Sequence, residues 1–456
     1  MPSLSVVMIV RDEAQCLGDC LAAIGPIADE IVIADTGSTD DTVAVAQQFG
    51  AKVFSIPWRD DFAWARNEVL RRATGDWLLH LDADELVDPE NAARIRAFVD
   101  ADGHGAHGAW ITLANYSDDH TSWRWTPAPP GDPYAHGYAG YLRVPLVRLF
   151  KNGLGIEYRE PIHENLGESL REIGAVLRED VPILIHHYGF DPDLERTQEK
   201  GRYYLTIARR KAAERPNEAK SWFDLAAAAH RYGDLDAALD AARRAVDMAP
   251  SNADAVFTLA SIHLDHADPT AAAKLLEDYL ARGSAPVHFA SALGAIRQLQ
   301  GDLDAARRWF ELALQHDPDN ILGRLRIART LDLLGDTALA RPHLEHAARI
   351  APSLKEIGAR LEAGTLRAEG ERAFELGDTV GALRHFVDAL ALDPMDPLLH
   401  NNLGVALNRI GQPGQARASF ERALALAPGM PLAAQNLAAL DRSTGEGIAP
   451  SDPGNP

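Results

Sequence analysis

Three acids crowd the end of one apolar run. In GDWLLHLDADELVDP, residues 75–89, the stretch from Trp77 to Leu81 is followed at once by Asp82, Asp84 and Glu85. Carboxylates this close repel one another, and building a core does not call for them. If WLLHL is a central strand, alternation puts Asp82 and Asp84 on the same side of its carboxyl end. Open parallel sheets bind their ligands there. Two converging carboxylates suit a hard divalent cation, Mn²⁺ or Mg²⁺, that keeps positions open for water and substrate phosphates. Such a cation would relieve the repulsion. Capping of a helix that starts near Pro89 explains Asp88 but not Asp82.

A second acidic turn lies earlier, in IVIADTGSTDDT. Asp35 ends a β-like run, Gly37 permits a tight turn, and Ser38, Asp40 and Asp41 can cap the next helix. Capping alone would account for a lone turn of this kind. Beside the later DxD, at a neighbouring strand end, it points to a nucleotide site.

Acids at strand ends need a sheet to hold them. Residues 4–115 alternate short apolar runs (LSVVMIV, EIVIA, AKVFSI, DWLLHL, GAWITLAN) with helical patterns near 16–24, 41–49, 62–73 and 89–101. That alternation predicts a mostly parallel, Rossmann-like α/β sheet covered on both faces. Residues 116–190 lose the period. Trp123, Trp125, Tyr134, Tyr138 and Tyr141 lie in a Gly- and Pro-rich stretch that reads as a binding loop, its rings either stacking on sugar or acceptor or packing the loop.

From about residue 196 the pattern is helical and repeats. Pro318 and Pro352 lie 34 residues apart, as do Pro394 and Pro428, which is the tetratricopeptide period. Small residues (Ala238, Ala306, Ala382, Ala416) let paired helices approach, and Gly233, Gly301, Gly377 and Gly411 turn the chain. The expected layout is an α/β domain over 1–195, a linking helix over 196–218, an all-α solenoid of about six repeats over 219–442, and a disordered tail over 443–456. The second repeat (253–286) is weak, about eight residues are inserted near 355–362, and a capping helix lies near 431–441.

The 456 residues carry a formal charge of −21, which argues against a nucleic-acid partner because phosphate binding relies on Lys and Arg. Cys16 and Cys20 make no disulfide framework and read as reduced, packed thiols. The start, MPSLSVVMIVRDE, lacks the basic region of a signal peptide, and no run is long enough to span a bilayer. The expected location is cytoplasmic, at most peripheral at the inner membrane face.

Several segments in order, VVMIVRDEAQCLGDCLAAI, DEIVIADTGSTDDTVAVAQQFGAKVF, WRDDFAWARNEVLRRATGDWLLHLDADE, RLFKN, PIHENL and HHYGF, resemble the glycosyltransferase family 2 enzymes of GT-A fold over roughly residues 3–190. The nearest branch resembles lipopolysaccharide-core glucosyltransferases and bacteriocin S-glycosyltransferases, some of which carry tetratricopeptide repeats. The resemblance implies a metal-dependent, inverting transfer from a nucleotide sugar, a uridine diphosphate sugar being expected, to a saccharide, peptide or protein. It assigns Arg11, Asp12, Glu13, Asp35 and Gly37 to the nucleotide, together with Arg66 and Asn67 of WARN. Asp82 would contact ribose or metal-bound water, and Asp84 would ligate the metal. His187 matches a late metal-binding His, with His186 competing and a core-bonded His as the alternative. An inverting transfer needs a base; Glu164 is the choice, with His163 and Glu160 as alternatives. Arg148 would assist the departing diphosphate, or serve only as a surface or capping Arg.

Repeat superhelices offer a concave face to partners or acceptors. Some repeat-bearing glycosyltransferases clamp a peptide with one Asn per repeat. Here the matching positions hold Asp224, Thr258, Ala292, Arg326 and Ala368, and only Asn402 and Asn436 fit. The rival expectation is a catalytically inactive scaffold built on the same layout.

Overall fold

The apolar runs of the first half become the strands of one sheet, as their alternation with helical patterns predicts. The computed structural model describes residues 1–120, 122–188, 194–283 and 287–444. The last two residues of HHYGF and the tail from residue 445 therefore lie outside the described residues. In chain order the elements are β1 (Leu4–Val10), α1 (Leu17–Ile24), β2 (Glu30–Asp35), α2 (Thr42–Gln48), β3 (Lys52–Ser55), α3 (Phe62–Leu70), β4 (Trp77–His80), β5 (Glu85–Leu86) and α4 (Pro89–Asp100). Then come β6 (Gly108–Tyr116), β7 (Trp125–Pro127), β8 (Gly140–Lys151), α5 (Gly167–Glu172), β9 (Leu177–Arg178) and β10 (Leu184–His187).

The sheet runs β3-β2-β1-β4-β8-β6-β10-β5. Strands β1 to β4 pair in parallel, with Val10 opposite Asp35 and Val7 opposite His80. The departure from the expected pattern is β8, a twelve-residue strand inserted antiparallel between β4 and β6. Pro145 and two arginines hid it, since proline demotes a run as a strand candidate. β4 reaches β8 only between Leu149 and Lys151, so Pro145 has no β4 partner to satisfy.

Cores form on both faces. Val6, Met8, Leu21, Ile33, Leu79 and Ile95 pack on one side, and Val7, Val32, Ala65, Val69, Leu78 and Phe150 on the other. At the lower edge Glu30 is nearly buried and accepts from Lys52 Nζ (2.6 Å), Ser5 Oγ (2.5 Å) and Thr74 N (2.8 Å). Burial alone would raise its pKa, but these three partners outweigh it and bring it down to about 2. A depressed carboxylate contributes stability that is present above its ordinary range and lost as pH falls toward the folded value. Glu30→Gln should therefore cost about 3 kcal/mol at pH 7 and nearly nothing near pH 2. Urea melts at the two pH values test this, and an equal loss at both would contradict it.

The remaining elements are helices: α6 (Leu194–Glu214), α7 (Ala219–Arg231), α8 (Leu235–Met248), α9 (Ala253–Asp265), α10 (Pro269–Leu280), α11 (Val287–Leu299) and α12 (Leu303–His316). They continue with α13 (Ile321–Leu334), α14 (Thr337–Ile350), α15 (Lys355–Glu375), α16 (Thr379–Leu392), α17 (Pro397–Arg409), α18 (Pro413–Leu426) and α19 (Pro431–Thr444). The insertion near 355–362 lengthens α15 to 21 residues instead of forming a loop. Ala238, Ala306, Ala382 and Ala416 are fully buried where paired helices meet. The same closeness recurs where Phe310, Phe386 and Phe420 lie over Gly294, Gly370 and Gly404, where a Cβ would come within 2.6 Å of the ring.

By contacts the chain forms two compact units. The first comprises the described residues of Met1–Asp119, Arg124–Thr126 and Gly131–His266, so it contains the sheet and α6 to α9. The second comprises those of His120–Trp123, Pro127–Pro130 and the chain from Ala267. Within the second, Trp123 stacks on His288 (4.9 Å, 12°), and Leu303, Leu333, Leu398, Ala427 and Met430 share a core. Its inner polar side chains bind one another: Arg367 holds Asp332 (3.0 Å) and Asp396 (2.9 Å), Asn402 donates to Glu371 (2.8 Å), and Asn436 to Asn401 (2.8 Å). Arg326 donates to Ser291 (3.2 Å). Among the described residues no helix is long and apolar enough to cross a membrane.

Candidate active site

Strand ends and the loops after them bring the candidate residues into the first unit. After β1 and β2 two loops are laced together by short polar side chains. Asp12, with φ 56°, accepts from Thr39 N (2.6 Å), while its own N–H donates to Ser38 Oγ (3.0 Å). Glu13 N donates to Thr42 Oγ1 (2.7 Å). Ser38 therefore serves the facing loop and not the helix end, and Asp41 at the start of α2 makes no side-chain cap; Asp40 accepts from Thr42 N (3.0 Å) instead. Asp35 is buried and accepts from the N–H groups of Gly37 (3.3 Å) and Ser38 (3.0 Å), the tight turn that Gly37 (φ 108°) permits. Arg11 stays exposed, 3.9 Å from Asp12.

The acids after β4 divide between two environments. Regular strand ends at His80, so alternation no longer governs Asp82 and Asp84. Asp82 turns toward two buried guanidinium groups, Arg66 (3.0 Å) and Arg148 (3.2 Å). Burial would raise its pKa, but Arg66, Arg148 and His80 hold it well below the usual carboxylate range. Arg66 comes from α3 and reaches Glu164 with Nε (2.7 Å) as well as Asp82. Arg148 of β8 also binds Glu85 (2.9 Å), which is 1% exposed and whose pKa is pushed by burial to about 7 despite that partner. His80 lies between the two arginines and the Tyr158 hydroxyl (2.7 Å); burial and the flanking cations keep it neutral. Asn67 is used by the backbone, pairing with both N–H and C=O of Tyr158 (2.8 and 2.9 Å).

Removing Arg148 would leave the buried Glu85 carboxylate without its guanidinium partner, beside Asp82. Breaking one partner of a buried charge pair costs about 3 to 5 kcal/mol. Arg148→Met should lose stability of that order in urea denaturation at pH 8. A loss below about 1 kcal/mol would show that the cluster tolerates its absence.

Asp84 has a different partner. Its side chain is 40% exposed and lies 3.3 Å from His187 Nε2, on the antiparallel edge where β5 meets β10. His187 Nδ1 contacts Asn115 Oδ1. Burial lowers the His187 pKa, but the hydrogen bond and charge of Asp84, with Glu85 and Asp82 behind it, raise it above the ordinary value. His186 is used otherwise: buried, it bonds the Tyr116 hydroxyl (2.9 Å) and Asp88 (3.0 Å), and burial lowers its pKa. Asp88 also caps α4, accepting from Glu90 N (2.9 Å) and Asn91 N (3.0 Å).

Among the described residues no three His, Cys, Asp or Glu side chains form a metal cage. One carboxylate and one imidazole nevertheless fit an ion that takes its remaining ligands from substrate phosphates and water. The loop aromatics largely pack on one another. Tyr134 stacks on His186 (4.5 Å), Tyr138 on Tyr116 (6.2 Å) and His136 on Tyr188 (4.5 Å); Tyr141 meets Tyr116 edge-on. Trp125 is buried and donates to Ser117 O (2.8 Å).

Glu164 and His163 lie on a loop closed by the Arg159–Asn165 bridge, with His163 at φ 51° and exposed. The residues that sequence reasoning passed over are His80, Tyr158 and the pairing of Glu85 with Arg148. A His inside the apolar run WLLHL was the one available signal.

Comparisons with known proteins match both parts of the chain. Residues 5–153 match the model for "Glycosyl transferase family 2", and residues 201–253, 257–321 and 367–431 match a tetratricopeptide repeat model. A TPR repeat-containing protein of Synechococcus elongatus is 30% identical over 93% of both chains. The SPbeta prophage-derived glycosyltransferase SunS of Bacillus subtilis is 24% identical over 54% of each chain. Among solved structures, the APC/C hetero-tetramer Cut9-Hcn1 is similar with a TM-score of 0.36 and 16% identity, over 55% of this chain and 49% of that one.

Proposed function

The chain belongs to the family 2 glycosyltransferases that carry tetratricopeptide repeats, and from that premise we propose a metal-dependent, inverting transfer from a nucleoside diphosphate sugar, most simply a uridine diphosphate sugar. The observation that carries this reading is the division of labour at the end of β4. Asp84 and His187 form a part-exposed donor pair, while Asp82 is held inward by Arg66 and Arg148. A divalent cation, Mn²⁺ or Mg²⁺, held by Asp84 and His187 would supply positive charge to the diphosphate.

The chain's own residues do the rest. Asp35, Asp12 and Glu13 line the laced loops at the ends of β1 and β2, where the nucleoside would lie. Arg66 fixes the Glu164 carboxylate through Nε. The acceptor's hydroxyl or thiol attacks the anomeric carbon. Its bond to that carbon forms as the bond to the diphosphate oxygen breaks, the electron pair leaves with the nucleoside diphosphate, and the acceptor proton passes to Glu164. The acceptor is a saccharide, peptide or protein, and the repeats serve as a docking face for acceptor or partner. With Asn402 and Asn436 bonded within the repeats, the docking mode is not a continuous asparagine ladder.

Calorimetric titration of nucleoside diphosphates and their sugars, with Mn²⁺, with Mg²⁺ and with chelator, tests the reading. Binding of one nucleotide that disappears with chelator is expected. Binding of none by the folded chain would overturn the proposal in favour of a scaffold.

A further inference from the structure

We propose that Lys211 of α6 is a positioning residue for the loop that carries Glu164, so that α6 and α7 help to hold the reacting loop in place. The proposal rests on the transferase reading above.

The loop is held in an unfavourable shape. Glu160 (φ 82°) and His163 (φ 51°) both occupy the left-handed region within four residues. Non-glycine residues stay there only where the surroundings over-determine them, and such strain concentrates at functional sites. Three anchors do this. The Arg159–Asn165 backbone pair closes the loop (3.0 and 3.1 Å), and Pro161 O accepts from Phe62 N at the start of α3 (3.0 Å). The third anchor is the Glu160 carboxylate, which meets Lys211 Nζ.

Lys211 is 1% exposed and its ammonium serves two carboxylates. Besides Glu160 it binds Asp224 of α7 (2.5 Å), itself 1% exposed. Arg215 reaches Glu160 (3.4 Å) and Lys220 reaches Asp224 (3.0 Å), so both acids are compensated on both sides. Buried ion pairs add little net stability over apolar packing of equal volume. What this one supplies is geometry: it ties one end of the loop to two helices while Arg66 ties the other end, at Glu164 (2.7 Å), to Asp82 (3.0 Å). The loop that carries the carboxylate assigned to the acceptor proton is thus tied at one end through Glu160 to Lys211 and at the other through Glu164 to Arg66.

The test uses the full chain and the variants Lys211→Met, Lys211→Arg and Glu160→Gln. Release of nucleoside diphosphate from a panel of uridine diphosphate sugars gives kcat and KM, and calorimetry gives the nucleotide Kd. In Lys211→Met and Glu160→Gln, kcat should fall about 100-fold, the scale of an ångström of misplacement, with KM and Kd within about twofold. Lys211→Arg should recover most of the rate. If Lys211→Met does not fold, Glu160→Gln decides, because it leaves the Lys211–Asp224 pair in place. A folded variant with kcat within threefold of the parent, or an equal loss of nucleotide binding, would overturn the positioning role while the transferase reading stands. A parent chain that neither binds nor releases nucleotide would overturn both.

Discussion

Glu164→Gln is expected to keep nucleotide affinity within about twofold of the parent while transfer falls by about 10² to 10⁴, the usual contribution of a positioned general base. Glutamine keeps the carbonyl oxygen that accepts from Arg66 Nε, so the 2.7 Å contact and the loop can persist. What it loses is the capacity to take a proton. The comparison therefore separates chemistry from architecture. Steady-state rates and titration of the nucleotide on the same preparation measure both. Full transfer by this variant would remove Glu164 as base and leave His163, since Glu160 is committed to Lys211 and Arg215.

Asp84→Ala should reduce nucleotide binding in Mn²⁺ to the level seen with chelator, with the repeats still folded. Among the described residues Asp84 has no buried guanidinium partner of the kind that holds Asp82, so its removal strands none of their cations in the core. Destabilisation should therefore stay small. Burial lowers the His187 pKa, and the hydrogen bond and charge of Asp84 are the leading causes that raise it. A raised imidazole contributes stability that is fully present below the ordinary histidine value and lost as pH rises through the folded value. In the metal-free variant that increment should shrink and His187 should titrate lower, as NMR can follow. Retained metal-dependent nucleotide binding would refute the assignment of Asp84.

These two acids also mark how far sequence reading reaches. DADE announced a cluster of carboxylates, and the apolar run before it announced the strand that presents them. The split between Asp82 and Asp84 was not legible, because it depends on Arg66 from α3 and Arg148 from β8, which lie 16 and 66 residues away along the chain. β8 itself was hidden by Pro145. Asp88 was legible as a cap, since it accepts from N–H groups two and three residues on. Ser38 read as a cap too, yet its hydroxyl accepts from Asp12, on a loop that only the pairing of β1 with β2 brings near.

What the sequence determined by itself is what repeats or acts locally: the alternation of strands and helices, the 34-residue period, the fully buried alanines, and the acidic residues at strand ends. Those signals survive in one dimension because they depend on neighbours within a turn or two of helix, or on a pattern repeated along the chain. Tertiary structure decided the partner of each charge: Glu164 to Arg66 across 98 residues, Glu160 to Lys211 across 51, His187 to Asp84 across 103. A charge's contact geometry falls off with distance in space and carries no period in sequence, so only the packed sheet and helices could say which acids are restrained and which are left to face a ligand.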